Sequence, residues 1–231
     1  MSYRLPPESA VRGIRFQPIY SLADNTIHAW EVLSLLHQDL QHERYFSSQP
    51  DDVILNILCW QLLIVANMKN RRRYYFNISA RLLSQPRVVE RIARLLRPGI
   101  VIEIQDPQAL VSLSASERES LYQNKDKIQS AGAEVWIDDL LPEHLPSLQN
   151  KLALFDGVKI DKSVLHYTAH EPEVFPAFIA WCMSRVKSVL VEGVENSLHF
   201  KTAASAGCHY LQGFMWPEER YSLRYMSVGN D

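Results

Sequence analysis

The sequence predicts an α/β protein, a modified (β/α)8 TIM-like barrel with an antiparallel strand near the N-terminus. Short apolar runs of strand character alternate with longer segments of helical periodicity, which is typical of a parallel sheet covered by helices. Eight such runs are present, which is the number of strands in a closed barrel of this kind. The length of 231 residues suits one barrel. We therefore expect a single domain over residues 1–231.

The first two predicted strands are joined by the short segment Ser-Leu-Ala-Asp-Asn, which is too short for a helical crossover. They should therefore pair antiparallel, which makes the barrel a modified one. The first predicted helix follows Gln-Pro-Asp-Asp, which offers a cap and negative charge at the positive end of the helix dipole. The predicted strands are residues 14–20, 26–34, 74–79, 100–105, 134–138, 157–161, 189–194 and 210–214. The predicted helices are residues 51–69, 86–96, 114–130 and 172–186.

Composition and charge exclude several classes of function. The net charge of -2 gives no electrostatic reason to expect nucleic-acid binding. The N-terminus has no apolar signal-peptide core, and the longest apolar segment, 53–68, is too short to span a membrane. Cys59, Cys182 and Cys208 are scattered in apolar contexts without metal-binding spacing, which predicts free buried thiols in a reducing compartment. We expect a cytoplasmic protein with no membrane or direct nucleic-acid partner.

Polar residues stand at the C-terminal ends of the predicted strands, which form the active rim in barrels of this type. The adjacent carboxylates of Asp138 and Asp139 repel each other, so a metal ion or water must offset the cost. Oxygen ligands without His or Cys suit Mg²⁺, Mn²⁺ or Ca²⁺. Two such ions could activate water against a phosphodiester, with Lys159 stabilising negative charge or orienting that water. The strand-end residues are Glu31, Asn77, Glu103, Asp138, Asp139, Lys159, Glu192 and Gln212.

A single buried glutamate such as Glu31 could be a core residue in a salt bridge. Convergence from seven strands favours a site instead.

The order and spacing of these segments resemble the bacterial EAL domain family. Glu31-Val32-Leu33 stands where the family has its Glu-Ala-Leu signature. The resemblance covers essentially the whole chain and implies a modified (β/α)8 barrel. Active members are phosphodiesterases that linearise cyclic di-GMP with two Mg²⁺ or Mn²⁺ ions, so the cofactor implied is Mg²⁺ or Mn²⁺ if the site still binds metal. The segments that carry the resemblance are FQPIYSLADNTIHAWEVLS, FNISARLL, IEIQD, WIDD, VKIDKSV, VEGVEN and GCHYLQGFMWP.

The resemblance also implies roles for individual residues. Those that match metal ligands are Glu31, Asn77, Glu103, Asp138 and, for the second metal, Asp139. Those that match catalytic residues around the metals and the attacking water are Lys159 and Glu192. Those that match outer, ligand-binding positions are Gln17, Glu195 and Gln212.

The sequence departs from the family at the rim. The family loop after the paired aspartates reads Asp-Phe-Gly-Thr-Gly, whereas this chain has no glycine there. Glycine takes a positive φ readily, Leu and Glu do so at a cost, and Pro cannot, so we expect the family's loop conformation to be lost. The replaced loop positions are Leu140, Leu141, Pro142 and Glu143.

A second departure removes a charge. Leu35 stands where the family has an arginine that contacts the ligand's phosphate. Loss of this contact should cost about 2–3 kcal/mol, or roughly 30- to 150-fold in affinity. A milder change puts Asp106 where the family has a Glu that supports the replaced loop.

These losses predict a degenerate EAL-like protein that is catalytically inactive, binds cyclic di-GMP weakly or not at all, and regulates through protein–protein interaction. Compact family members in enteric bacteria bind a subunit of the flagellar master transcription activator and repress motility. The same partner follows here by analogy only. Segment 53–68 or the replaced loop could supply the contact surface, although packing against the barrel is the favoured role of the segment. Two alternatives remain, namely a metal-dependent cyclic di-GMP phosphodiesterase of low activity and a cyclic di-GMP receptor.

Overall fold

The structure, a computed structural model, describes residues 9–37, 40–68, 72–148, 150–167 and 173–222. Eight strands close into a barrel, because β1 pairs with both β2 and β8. A ninth strand, which the sequence analysis did not predict, pairs with β1 outside the closed ring. The strands are β1 (Val11–Ser21), β2 (Thr26–Leu36), β3 (Arg73–Ser79), β4 (Ile100–Gln105), β5 (Glu134–Leu140), β6 (Gly157–Ile160), β7 (Ser188–Val191), β8 (Tyr210–Gln212) and β9 (Glu219–Ser222).

The predicted fold class is confirmed, including the antiparallel strand. Strand β1 runs antiparallel to its neighbours β2, β8 and β9, whereas the pairs from β2 to β8 are parallel. The antiparallel β1–β2 pair follows from the short connection between them, since a parallel pair needs a crossover.

Helices cover the outside of the barrel. They are α1 (His42–Ser47), α2 (Asp51–Asn67), α3 (Ala80–Leu83), α4 (Pro86–Ile92), α5 (Pro107–Ser112), α6 (Ala115–Ser130), α7 (Leu145–Leu148), α8 (Lys162–His166), α9 (Val174–Met183) and α10 (Ser197–Ser205). Short 3₁₀ turns lie at Ala93–Leu95, Pro142–His144 and Leu152–Leu154.

The four predicted helices correspond to α2, α4, α6 and α9, with shifted ends. Ser114 caps α6 in a reciprocal pair with Glu117, so this helix begins where its sequence signal stands. The predicted helix 86–96 ends early, in the 3₁₀ turn Ala93–Leu95. Predicted end residues 69 and 172 lie outside the described residues.

Helix α2 packs against the barrel. Leu55, Leu58, Leu62 and Val65 are each no more than 2% exposed. The alternative that segment 53–68 is a packing element is therefore the one the structure supports. Within the described ranges, no helix has both the length and the apolar character needed to cross a membrane. The three cysteines are free and buried, as predicted.

The interior of the barrel holds a small apolar core of its own, with Trp136 at 0% exposure near its centre. Gly157 makes room for this ring, since a Cβ there would lie 2.4 Å from the indole. The layer consists of Ile19, Ala29, Tyr75, Val101, Trp136 and Leu190. Most of these residues precede a predicted site residue by two positions, and side chains two apart on a strand point the same way. The apolar layer is therefore the floor beneath the polar rim.

Candidate metal centre

Polar side chains from neighbouring strands meet above this apolar floor, and Lys159 lies at their centre. Its side chain, 1% exposed, points inward from β6. Its Nζ lies 3.2 Å from Glu31 Oε2 and 3.2 Å from Asp138 Oδ1. It lies 2.8 Å from Glu192 Oε1 and 3.6 Å from Glu103 Oε1. One ammonium thus faces four carboxylates, and we call Glu31, Glu103, Asp138, Lys159 and Glu192 the carboxylate well.

Glu31 has the most complete set of partners in the well. Asn77 Nδ2 donates to its Oε1 over 2.6 Å, and Gln212 Nε2 donates to its Oε2 over 2.6 Å. Burial alone would raise the pKa of Glu31, but the Lys159 charge and these hydrogen bonds outweigh burial and lower it. Glu31 is therefore an ionised carboxylate held in a fixed orientation.

Glu103 is the opposite case. It is 0% exposed, and neither of its side-chain oxygens has a hydrogen-bond donor among the described residues. Asn77 Oδ1 and Gln212 Oε1 are likewise buried without donors, while the NH₂ groups of both amides donate to Glu31. Buried acceptors without donors are costly, and a cation would satisfy them.

The pKa shifts of the groups in the carboxylate well reflect the same excess of negative charge. Burial raises the pKa of Glu103 and Asp138 well above the ordinary range, and the neighbouring carboxylates reinforce it against the opposing effect of Lys159. Burial also raises the pKa of Glu192. Burial would lower the pKa of Lys159, but the surrounding carboxylates raise it well above its usual value. Lys159 therefore stays charged, while the acids need either protons or further cations.

The donor geometry fits two divalent ions. One group of mutually close ligand atoms comes from Glu31, Glu103 and Asp138, and a second comes from Asp138, Asp139 and Glu192, each within 4.8 Å. Asp138 belongs to both groups and would contribute a ligand to either ion. An all-oxygen ligand set of this kind suits Mg²⁺, Mn²⁺ or Ca²⁺.

Asp139 lies at the exposed edge of the well. The β5–β6 pairing is irregular between Ile137 and Leu140, and Asp139 takes a left-handed backbone with φ 53°. The Asp139 N–H donates to Asp138 Oδ1 over 3.0 Å. This irregularity allows two adjacent carboxylates to contribute to one group, although alternation along a regular strand would send them to opposite faces.

Gln17 and Glu195, two of the predicted outer positions, lie in different surroundings. Gln17, half-buried on β1, pairs directly with Glu31 in the β1–β2 register. Glu195 is exposed and groups instead with His166 and His199, a cluster outside the well that the sequence analysis did not identify. These two histidines follow β6 and β7, so the signal was the adjacency of those strands rather than any sequence spacing.

The rim beside the well is apolar at the positions where the sequence departs from the family pattern. Leu35 is half-buried on β2, four residues beyond Glu31 and on the same strand face, which puts its Cα about 13 Å away. Leu140 is 0% exposed, and no residue from 140 to 143 has a positive φ. Leu141 and Pro142 instead enter a 3₁₀ turn, in which His144 Nδ1 accepts from the Leu141 N–H over 3.1 Å.

This turn forms one wall of an apolar groove of about 320 Å³. The opposite wall includes Tyr167 and Val174, which are 56% and 41% exposed. Asp106 does not reach toward the turn through any hydrogen bond that the described residues show. It accepts from the Gln108 N–H over 3.0 Å and caps α5. The residues that line the groove are Leu141, Pro142, Ser163, Val164, Tyr167, Val174 and Phe175.

Comparisons with known proteins bear on this fold and site. A family model described as the EAL domain matches residues 11–218. A comparison with curated proteins gave no significant match.

Solved structures share the fold at low identity. The Pseudomonas aeruginosa FimX EAL domain bound to c-di-GMP has a TM-score of 0.74 at 19% identity, over 91% of this chain and 91% of that chain. Klebsiella pneumoniae BlrP1 in a manganese/cy-diGMP complex has a TM-score of 0.73 at 17% identity, over 94% of this chain and 57% of that chain. The EAL enzyme Bd1971, bound to cAMP and cyclic-di-GMP, has a TM-score of 0.72 at 17% identity, over 92% of this chain and 63% of that chain.

Proposed function

This chain belongs to the EAL domain family, and on that premise we propose that it is a degenerate member that regulates by binding another protein. In this proposal it does not cleave cyclic di-GMP efficiently and binds it weakly or not at all. The observation that carries the proposal is the contrast between a charged, buried well and an apolar rim at Leu35 and Leu141.

The well supports retained cation binding. Glu31, Glu103 and Asp138 would hold one Mg²⁺ or Mn²⁺ ion, with the free Asn77 oxygen beside it. Asp138, Asp139 and Glu192 would hold a second. Such a pair of ions supplies Lewis-acid polarisation of a phosphodiester and of water. Lys159 would keep a positive charge among these groups, and Gln212 and Asn77 would hold Glu31 in place.

The rim supports the loss of nucleotide binding. A phosphate oxygen held in a protein needs charged or hydrogen-bonding partners, and a bidentate arginine is the strongest of these. Leu35 offers neither charge nor a donor. The Leu141–Pro142 turn is likewise packed against apolar side chains rather than presenting backbone N–H groups from a glycine loop.

The partner is proposed from the analogy with compact enteric family members. We propose a subunit of the flagellar master transcription activator, bound in the cytoplasm by the single domain, so that flagellar gene expression and motility are repressed. The apolar groove between Leu141 and Tyr167 is the surface proposed for this contact, because large apolar side chains exposed there favour a protein interface.

Calorimetric titration of the purified protein with cyclic di-GMP in Ca²⁺ tests the proposal, since Ca²⁺ supports binding in this family while suppressing cleavage. We expect no measurable heat at ligand concentrations of about 100 µM, where a micromolar site would be saturated. Micromolar or tighter binding would contradict the proposal.

A motility assay tests the regulatory half. Glu31→Ala should leave repression intact because the well is not required for partner binding. Leu141→Asp should abolish repression by placing a charge in the apolar groove. The reverse pattern would contradict protein binding as the mechanism.

The completeness of the well favours a second candidate, a metal-dependent cyclic di-GMP phosphodiesterase of low activity. Turnover in Mn²⁺ that disappears in Glu192→Ala would establish it. Binding without turnover would instead establish the receptor alternative, and charge reversal at Lys159 should then abolish the response to nucleotide.

A further inference from the structure

A second cluster of metal-ligating side chains lies on the exterior of the same barrel end, outside the carboxylate well. It consists of His166 at the end of α8, His199 in the first turn of α10, and Glu195 in the connection between β7 and α10. One ligand atom from each lies within 4.8 Å of the others. Because α8 and α10 follow β6 and β7, which are neighbours in the barrel, closure of the barrel brings the three residues together.

The backbone holds both imidazoles in place. The Gly193 carbonyl lies 2.8 Å from His166 Nε2 and 3.1 Å from His199 Nδ1. A carbonyl oxygen only accepts, so His166 Nε2 carries the proton that it donates there. His199 Nδ1 lies between two backbone groups, the Gly193 carbonyl and the Glu195 N–H at 3.4 Å, so the backbone fixes the position of this ring but not its tautomer. His166 Nδ1 then carries a lone pair, and the neutral His199 ring offers one from its unprotonated nitrogen. Histidines that bind metals are usually oriented by such a hydrogen bond from the second ring nitrogen.

Gly193 permits this arrangement. Its φ is 73°, and a Cβ would lie 2.9 Å from His166 Nε2 and 2.5 Å from Lys162 Cβ. A side chain here would therefore push the His166 ring away from the carbonyl. The two rings lie side by side, with centroids 4.6 Å apart and planes tilted by 31°.

The third ligand is available. Among the described residues, no hydrogen bond or ion pair engages the Glu195 carboxylate, which lies exposed beside the two rings. Asn196 fixes the local backbone by accepting from the Leu198 and His199 N–H groups over 3.0 and 2.9 Å. The cluster thus combines two oriented imidazoles with one unpaired carboxylate.

We propose that His166, Glu195 and His199 form a binding site for a divalent transition metal, with zinc as the ion it fits best. Two histidines and a glutamate are a ligand set that zinc uses, with a fourth position left for water or another ligand. The all-oxygen well favours hard ions instead. The two sites therefore differ in donor chemistry and can be occupied independently.

The test is a calorimetric titration of the full chain with Zn²⁺ in a large excess of Mg²⁺, which occupies the carboxylate well. The wild type should bind one equivalent with micromolar or tighter affinity. His199→Ala and the near-isosteric Glu195→Gln should each weaken binding by at least about tenfold. His37→Ala, which changes an exposed histidine elsewhere, should bind as the wild type does.

Two further measurements locate the ion. Glu103→Gln, deep in the carboxylate well, should leave zinc affinity unchanged. In nitrogen-15 NMR, zinc should shift the ring signals of two of the eight histidines, and those two signals should be absent from His166→Ala and His199→Ala respectively. Zinc affinity lost in Glu103→Gln, or unchanged in both His199→Ala and Glu195→Gln, would overturn the proposal. Neither result bears on cyclic di-GMP binding or motility.

Discussion

The carboxylate well and the rim beside it differ in polarity, although they lie at the same end of the barrel. The well is charged and the rim is apolar. The well has three buried carboxylates and the half-buried one of Glu192 around one ammonium, and several of its acceptor oxygens have no donor among the described residues. The rim has the half-buried Leu35 and the Leu141–Pro142 turn, where Leu141 packs against the apolar core. The well can satisfy a cation, whereas the side chains of Leu35, Leu141 and Pro142 offer a phosphate neither charge nor a hydrogen-bond donor. Cation binding and nucleotide binding can therefore be lost separately.

The difference follows from what holds each region. Site residues in the well stand on or directly after strands that pair on both sides, above an interior floor that includes Trp136. Their positions are fixed by barrel closure. The rim turn lies in a connection between β5 and β6, where the chain can change conformation without disturbing the sheet.

The largest effect should come from removing the one positive charge in the well. Lys159→Met leaves four carboxylates, three of them buried, without an ammonium, and breaking a buried ion pair costs about 3–5 kcal/mol. Urea denaturation without divalent ions should show this loss in the free energy of unfolding. Added Mn²⁺ should restore part of it by supplying the missing charge.

Lys187→Met is the matched control. Its side chain is 81% exposed and its Nζ pairs with Asp156 over 2.9 Å. Asp156 is buried, but Gln129 Nε2 and the Val135 N–H also donate to it, so loss of the exposed ammonium should cost about 1 kcal/mol or less. If the free energy of unfolding falls equally little in both variants, the carboxylates of the well do not depend on the Lys159 charge for stability.

The next effect concerns the rim. Leu35→Arg places a charged, planar donor where the family resemblance implies a phosphate contact, and affinity for cyclic di-GMP should rise by roughly 30- to 150-fold. Calorimetry in Ca²⁺ measures it. Leu35→Lys should gain less because an ammonium cannot bind bidentately, and Leu35→Met should gain nothing. A titration as flat for Leu35→Arg as for Leu35→Met would assign the loss to the altered turn instead.

The folding stability of the metal-free protein should also depend on pH. The raised pKa of Glu103 and of Asp138 means that their protonated forms favour the folded state. That stability is fully present below the ordinary carboxyl pKa and is lost as pH rises through the raised values. The metal-free melting temperature should therefore fall over this interval. The lowered pKa of Glu31 acts in the opposite sense, but only below its ordinary value.

Metal ions should reverse this loss, since they replace protons as the partners of the acids. Mn²⁺ at a hundredfold excess over its dissociation constant should add about 2.7 kcal/mol, and more of that gain should appear as pH rises. Scanning calorimetry of the wild type and of Glu103→Gln at several pH values measures it. A gain from Mn²⁺ that does not depend on pH would place the ion outside the well.

The fold could be predicted to a greater depth than the site. Eight strands and the antiparallel opening pair follow from alternation and from one short connection, both of which are local features. The ninth strand, Glu219–Ser222, was not predicted because its sequence shows no apolar alternation. It pairs with β1 alone. Its existence depends on a tertiary contact.

Convergence on Lys159 was only partly predictable. The sequence places polar residues at strand ends, but it does not say that one ammonium faces four carboxylates or that Glu103 finds no hydrogen-bond donor in the described part of the chain. Those facts depend on strand register. The same limit hid the pairing of His166 with His199, which are 33 positions apart in the chain and meet because β6 and β7 are neighbours.

The smallest effect should come from the boundary between the two regions, at Asp139. Asp139→Asn removes a carboxylate whose pKa is raised by burial and by neighbouring acids. Asn also tolerates the left-handed backbone that this position requires. Metal-free stability should therefore rise, by about 1 kcal/mol or less. The increase in melting temperature caused by Mn²⁺ should become smaller, because the group of Asp138, Asp139 and Glu192 loses one of its negative charges.

Asp106→Asn is the matched control for Asp139→Asn. Asp106 has nearly the same backbone, with φ 57°, and is exposed, but it caps α5 instead of contributing to either ligand group. Asn can accept the same hydrogen bond, so neither stability nor the Mn²⁺ effect should change. If the two variants respond alike to Mn²⁺, Asp139 belongs functionally to the altered rim, and the well holds one ion rather than two.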